Sequence, residues 1–204
     1  MRINTNTWNR IRYSLYAPFY DLAARWFAAQ RRRSIELLDL KSEERVLIVG
    51  AGTGLDLEFL PNDISIEAND ITSAMVQQLA RRANRLGLKV KAEVMDGQNL
   101  QYDPESFDAV ILHLVLAIIP DPIRCIQEVE RVLKKEGRAV IFDKFLPDNQ
   151  KPSWGRKLLN LFTNVIATNI TRQLGPILDS TTLKIVYEEP AGFGGFIKIV
   201  LVRK

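Results

Sequence analysis

The sequence predicts an α/β chain built on one mostly parallel sheet. Helices cover both faces, a C-terminal antiparallel strand closes it, and a cofactor sits at its carboxyl edge. Three observations predict this. Arg45-Val46-Leu47-Ile48-Val49 is apolar after its first residue and runs straight into Gly50-Ala51-Gly52-Thr53-Gly54. A continuous apolar run of that kind reads as a strand buried on both faces. Two further apolar-to-acidic junctions follow, Ile64–Asp70 and Val90–Gly97, ending at Asp70 and Asp96. Last, Thr182–Glu188 and Phe196–Val202 read as two strands joined through Pro190–Gly195, a closing hairpin.

The elements justify themselves in order. Met1–Gln30 is basic and aromatic, with Trp8, Tyr13, Tyr16, Phe19, Tyr20, Trp26 and Phe27 among its arginines, and Pro18 separates two helices. Arg31–Leu40 reads as a helix. Leu55–Leu60 is short but opens a helix behind the glycine turn, its N-terminus toward a ligand. Ser73–Leu86 is helical and Gly87 ends it. Val90–Val94 is the third strand, Tyr102–Ser106 a turn, and Phe107–Leu112 the fourth strand. Pro120-Asp121-Pro122 opens a helix over Ile123–Lys134, which Glu136-Gly137 closes before a fifth strand at Arg138–Asp143. Trp154–Leu174 is amphipathic at helical period, with Leu158, Leu159, Phe162, Val165 and Ile166 on one side.

Composition bounds the function. At 204 residues, 47% hydrophobic and 25% charged, the chain suits one globular domain with its own core. One cysteine, Cys125, permits no internal disulfide and suits a reducing compartment. No apolar run spans a bilayer, and the N-terminus lacks a signal-peptide pattern. The expected location is therefore cytoplasmic, or peripheral on the inner face of the membrane. With one histidine and one cysteine there is no metal-ligand spacing, so no metal is expected. The charge is uneven: residues 1–33 hold seven arginines against Asp21, a net +6, while the whole chain is +4. That asymmetry points to an anionic surface as partner. Cations with Trp and Phe on the opposite face suit a helix lying in a membrane interface. The alternative is aromatics packed on the domain with solvated arginines. Nucleic acid is set aside as a partner, because no nucleic-acid module is recognisable.

The chemistry follows from the strand ends. Glycines let the backbone bend sharply and approach a ligand. Asp70, ending the second strand, can accept from both hydroxyls of a ribose. Asp96, ending the third, is placed for the amino group of an adenine. Gly50, Gly52 and Gly54 are followed by Leu55, where the dinucleotide fingerprint has its third glycine, which argues against a nicotinamide oxidoreductase. His113, the only histidine, follows the fourth strand. It is either a proton acceptor for a nucleophile or a histidine satisfied in packing. Lys144, Arg156 or Lys157 could hold a phosphate, with Lys144 the best placed.

These pieces resemble the class I S-adenosylmethionine-dependent methyltransferases. The matching stretches are Val46–Gly54, Asn69–Met75, Asp96–Leu100, Ser106–Val110 and Glu128–Arg138 with the strand Ala139–Asp143, together covering roughly Leu37 to Asp143. The resemblance implies a Rossmann-like fold and S-adenosylmethionine held by Gly50, Ala51, Gly52 and Gly54, by Asp70, Ile71 and Met75, and by Asp96, Gly97, Gln98 and Leu114. One position departs: Ile48 stands where the family usually carries an acidic residue that supports the glycine loop. Tyr16-Ala17-Pro18-Phe19-Tyr20-Asp21 is similar to a lid segment that precedes the domain in ubiquinone/menaquinone C-methyltransferases and bacterial phosphatidylethanolamine N-methyltransferases. Leu114–Pro122 and Gly194–Lys204 lean toward the latter. The resemblance implies residues 1–33 as a lid or membrane-contact segment and 34–204 as the cofactor-binding domain. It implies Tyr20 and His113 near the reacting groups, and Tyr13, Tyr16 and Lys144 toward the acceptor. The expected reaction is in-line methyl transfer to phosphatidylethanolamine at a membrane surface. The rivals are C-, O- or S-methylation of a quinone, thiol or other small apolar molecule, and a non-catalytic cofactor-binding protein.

Overall fold

The computed structural model describes residues 5–16, 21, 25–147, 154, 160 and 169–204. Seven strands form one sheet in the order β3-β2-β1-β4-β5-β7-β6. They are β1 Arg45–Val49, β2 Ser65–Asp70, β3 Val90–Val94, β4 Phe107–His113, β5 Leu133–Lys144, β6 Lys184–Gly192 and β7 Ile197–Arg203. β1 to β5 are parallel, and β7 runs antiparallel to β5 and β6. The helices are α1 Asn6–Tyr16, α2 Ala28–Glu36, α3 Ser73–Leu86, α4 Pro122–Val132 and the single turn α5 Gly175–Leu178. No helix among the described residues is long and apolar enough to cross a membrane.

The continuous apolar strands are explained by two cores, one on each face. Leu47, Val49, Val110, Leu112, Ala139 and Ile141 point to the face covered by α4 and α5. Val46, Ile48, Ala109, Ile111, Val140 and Phe142 point to the face covered by α2 and α3. Period-2 alternation therefore divides one apolar run between two interiors. Each large side chain buried this way contributes roughly 1.5–3 kcal/mol. Ile48 belongs to the α2/α3 core, 1% exposed, so an acidic side chain there would be buried among hydrocarbon.

Helix ends follow local chemistry. Pro122 sits at the first position of α4, and the Asp121 carboxylate accepts from the Arg124 N–H at 3.1 Å. Gly87 ends α3 at φ +69°, donating to the carbonyls of Ala83 and Asn84. A Cβ there would meet nothing within 4 Å, so only the backbone conformation resists substitution. Gly87→Ala is expected to lower unfolding stability by about 1 kcal/mol, read as a shift in urea midpoint at unchanged slope.

Several expectations are corrected. Leu55–Phe59 forms five residues of 3-10 helix, not an α-helix with a strong N-terminal dipole. α2 starts at Ala28 and stops at Glu36, three to four residues earlier than the sequence suggests at each end. α4 stops at Val132 and the chain passes directly into β5. The pairing register slips between Leu133 and Arg138, where a separate turn was expected. β6 extends to Gly192, so the hairpin connection is only residues 193–196. Most of the amphipathic stretch Trp154–Leu174 lies outside the described residues. Within its described end, Leu146 and Gln173 form a bridge.

Candidate active site

The strand order turns back between β1 and β4, which opens a crevice at the carboxyl ends of the strands. The crevice opens into a cavity, about 640 Å³ of empty space when its solvent-filled mouth is included. Gly50 and Gly52 of the turn form one side, at φ +65° and +55°. The turn is supported from β2: Asn69 Oδ1 accepts from the Gly50 N–H at 3.4 Å and Asp70 Oδ2 from the Gly52 N–H at 3.0 Å.

Asp70 opens to the cavity but is sheltered from bulk water. Burial pushes its carboxyl above the usual carboxylate range, although bonds from the Thr72 and Gly52 N–H groups pull the other way. The backbone uses only part of its accepting capacity, and the rest can meet ligand hydroxyls. Asp96 is already engaged. Gln98 donates from its backbone to Oδ1 at 3.0 Å and from its side chain at 2.9 Å, and Asn6 of α1 donates to Oδ2 at 2.6 Å. Gly97 is tight for a different reason: a Cβ there would lie 2.8 Å from Val49 Cγ1. Ile71, Met75 and Met95 complete this side.

The opposite wall is the segment after β4. Leu114 takes φ +59°, an unusual conformation for a bulky residue, and with Val115, Ile118 and Ile119 it lines the cavity. The segment is clamped from behind. Asp143 Oδ2 accepts from the Ala117 N–H at 2.8 Å, the Asn169 N–H donates to the Ala117 carbonyl at 2.8 Å, and Arg172 donates to the carbonyls of Leu116 and Ile119. Burial pushes the Asp143 carboxyl up and brings the Arg172 guanidinium down to about 10.

Above the cavity lies α1. Asn6, Asn9 and Tyr13, at helical spacing, line it from that side. Asp21 meets the turn from the N-terminal side: Thr53 Oγ1 donates to its carboxylate at 2.5 Å and Arg82 pairs with it.

A buried polar network joins α2, the 3-10 turn and β4. Asp56, 2% exposed, accepts at Oδ1 from Arg31 at 2.7 Å and from His113 Nδ1 at 2.7 Å. His113 Nε2 lies 2.7 Å from Ser34 Oγ, which donates to the Arg31 carbonyl. Burial alone would push the Asp56 carboxyl up. Arg31 and His113 beside it overturn that and hold it well below the usual carboxylate range.

The structure brings Gly50, Gly52, Asp70, Ile71, Met75, Asp96, Gly97, Leu114 and Tyr13 to one cavity. Gln98 stands behind Asp96, and Ala51 and Gly54 shape the turn without lining the cavity. His113 forms part of the wall, but the expected base is corrected: both ring nitrogens are held by Ser34 and Asp56, and the side chain is 1% exposed. Packing satisfies this histidine. Lys144 ends β5 opposite Ile197 and does not line the cavity. Tyr16 is exposed and sits edge-on to Tyr13 at 5.9 Å. Tyr20 lies outside the described residues, as do Arg156 and Lys157. The residues missed were Asn6 and Asn9, Asn69, Asp56 with Arg31 and Ser34, and Asp143 with Arg172. The first pair had a signal, since Asn6, Asn9 and Tyr13 recur at i, i+3 and i+7.

A family model described as a methyltransferase domain matches residues 47–141. The chain is 28% identical over 153 residues to a phosphatidylethanolamine N-methyltransferase of Cereibacter sphaeroides, covering 74% of this chain and 75% of that protein. It is 30% identical over 152 residues to a demethylmenaquinone methyltransferase of Thermus thermophilus, covering 70% and 68%. Its fold matches that of geranyl diphosphate C-methyltransferase from Streptomyces coelicolor, solved with S-adenosyl-L-homocysteine and geranyl diphosphate. The TM-score there is 0.72 at 16% identity, covering 88% and 79% of the two chains. At that identity the likeness concerns the fold alone. The sequence matches run through the glycine turn and its flanking strands, so the chain belongs to the class I methyltransferases and uses S-adenosylmethionine as methyl donor.

Proposed function

We propose that this enzyme methylates the amine of phosphatidylethanolamine at a membrane surface, with α1 over the cavity as part of its lid. The observation that carries the reading is the orientation of α1. Its polar residues Asn9 and Arg12 are buried at 4% and 3%, while Trp8, Ile11 and Leu15 are exposed at 36%, 52% and 69%. A helix that turns its apolar stripe outward and its polar side inward suits a bilayer on its outer face. Trp26 and Trp154, 85% and 79% exposed, add interfacial side chains, and the exposed Arg10 and Arg32 supply attraction to anionic lipid. The relative named as a phosphatidylethanolamine N-methyltransferase supports the same acceptor.

When bound, the cofactor supplies a sulfonium methyl group for in-line displacement. On this reading the Asp70 carboxylate accepts from the ribose hydroxyls and the Asp96–Gln98 segment faces the adenine. The Gly50–Gly54 turn leaves room for the amino-acid arm. Leu114, Val115, Ile118 and Ile119 keep water from the transfer path. Tyr13, which lines the cavity from α1, faces the acceptor side. The chain's work is alignment and exclusion of water. With His113 sealed, it does not supply the base.

A second reading, methylation of a quinone ring carbon, draws on the demethylmenaquinone methyltransferase relative and the same outward apolar stripe. Radiolabelled transfer from S-adenosylmethionine into liposomes of total bacterial lipid separates the two. Label co-migrating with methylated phosphatidylethanolamine is the expected result. Label in the quinone fraction gives the second reading, and label in neither sinks both. Replacing Trp8 and Leu15 together by serine should lower transfer into liposomes about 10-fold, since two partly inserted apolar side chains are lost. Cofactor affinity should be unchanged by calorimetry.

A further inference from the structure

A polar cleft separate from the cofactor cavity lies between the glycine turn and α3. Arg81, Arg82 and Arg85 line it from the helix, Thr53 from the turn and Asp21 from the N-terminal segment. Arg81 and Arg85 are exposed, lie one helical turn apart on one face, and have no ion pair among the described residues. Arg82 is different: it is 5% exposed. One of its terminal nitrogens pairs with Asp21. The other lies 3.7 Å from Glu58 Oε1 and has no hydrogen-bond partner. Arg82 is thus a buried guanidinium with one donor unsatisfied, on the wall of a cleft that carries three cations and one carboxylate.

We propose that this cleft is a phosphate-binding site, and that a phosphate bound there displaces the Asp21 carboxylate from Arg82 and Thr53. Guanidinium forks match phosphate oxygens in geometry, and bonds between ionised partners are the strong ones. Thr53 would give the phosphate the same hydroxyl proton it now gives Asp21. A phosphate is also bulkier than the carboxylate and tetrahedral, so it can face Arg81 and Arg85 on the same cleft wall, which Asp21 leaves unpaired. Because Asp21 and the phosphate compete for Arg82 and Thr53, phosphate binding and the Asp21 contacts oppose each other. Each weakens the other by the same factor. The phosphate belongs either to an anionic phospholipid headgroup or to a soluble phosphate ester. The inference holds whatever the methyl acceptor is, and its test involves no turnover.

The test uses the full chain without cofactor. Glycerol 3-phosphate is titrated calorimetrically, and phosphatidylglycerol in phosphatidylcholine vesicles is tested by co-sedimentation. Wild type should bind at least one probe. The double variant R81Q/R85Q should bind it about 30-fold more weakly with an unchanged melting temperature. Asp21→Asn should bind it at least threefold more tightly than Asp103→Asn. The control makes the same charge change in the turn before β4, at the opposite edge of the sheet. Binding to both probes assigns the site to phosphate esters generally, and binding to vesicles alone assigns it to a lipid headgroup. The proposal is overturned if wild type binds neither probe, if R81Q/R85Q binds like wild type, or if Asp21→Asn binds no more tightly than Asp103→Asn.

Discussion

Asp56→Ala should cost the fold about 3–5 kcal/mol, the usual effect of removing one partner from a buried ion pair. Asp56 Oδ1 is shared by Arg31 and His113, all three nearly inaccessible to water. Without the carboxylate, the Arg31 charge loses its counter-ion at 2.7 Å and the His113 N–H loses its acceptor. Ser34 and the Arg31 carbonyl lie in the same network, so the damage reaches from α2 to the carboxyl end of β4. Asp56→Asn keeps an acceptor oxygen but not the charge, and should fall between wild type and alanine. Urea unfolding at neutral pH reads both. The pH dependence has a definite sign. The folded carboxyl is depressed, so its stabilisation is complete above the unfolded value of about 3.9. It is lost as pH falls through the lower folded value. Wild type should therefore lose stability in acid more steeply than Asp56→Ala, and the two curves should converge at low pH. Parallel curves would show that Asp56 is not ionised in the folded protein.

Gly50→Ala should lower affinity for S-adenosylhomocysteine at least about 100-fold, or roughly 2.7 kcal/mol. The new Cβ would stand 2.6 Å from Val115 Cγ2 and 3.1 Å from Val115 Cβ. Valine is stiff about χ1, so its side chain cannot swing clear. Either the turn or the segment after β4 must move, and both line the cavity. The backbone at φ +65° adds about 1–2 kcal/mol of strain for any residue with a Cβ. That second cost falls on stability, and the collision falls on the site. Adding Val115→Ala to Gly50→Ala should recover affinity while leaving the strain, so the two substitutions are expected to couple. If Val115→Ala recovers nothing, the collision is not what limits binding.

The parallel strands were legible because burial on both faces forces long apolar runs, and Val46–Val49 and Val110–Leu112 have no other use for such sequence. Helix α3 was legible in full, since amphipathic period and a terminal glycine agree at Gly87. The short turn after Gly54 was not. Leu55, Leu57 and Leu60 have helix-like apolar spacing, but the need to bury Asp56 against Arg31 and His113 is a tertiary fact with no local signature. The same reason hides the role of His113. A histidine ending a strand at the site edge looks available until Ser34, 79 positions away in sequence, is found beside it. Asp70, Asp96 and the glycines were readable because their positions at strand ends follow from topology alone. Asn6 and Asn9 were obscured by the aromatic and basic residues around them, which drew attention to the outer face of α1 and away from the inner one. The Arg172 clamp could not be read, since it depends on where the chain returns after residue 168.

The most direct measurement is calorimetric titration of wild type and Asp70→Ala with S-adenosylhomocysteine, with NAD as the competing nucleotide. The wild-type chain should bind S-adenosylhomocysteine and not NAD. Asp70→Ala should bind at least about 100-fold more weakly, through loss of two charge-assisted hydrogen bonds to the ribose worth roughly 1.5–3 kcal/mol each. Equal affinity in the two proteins, or binding of NAD in place of S-adenosylhomocysteine, would contradict a cofactor site at the carboxyl ends of β1 and β2.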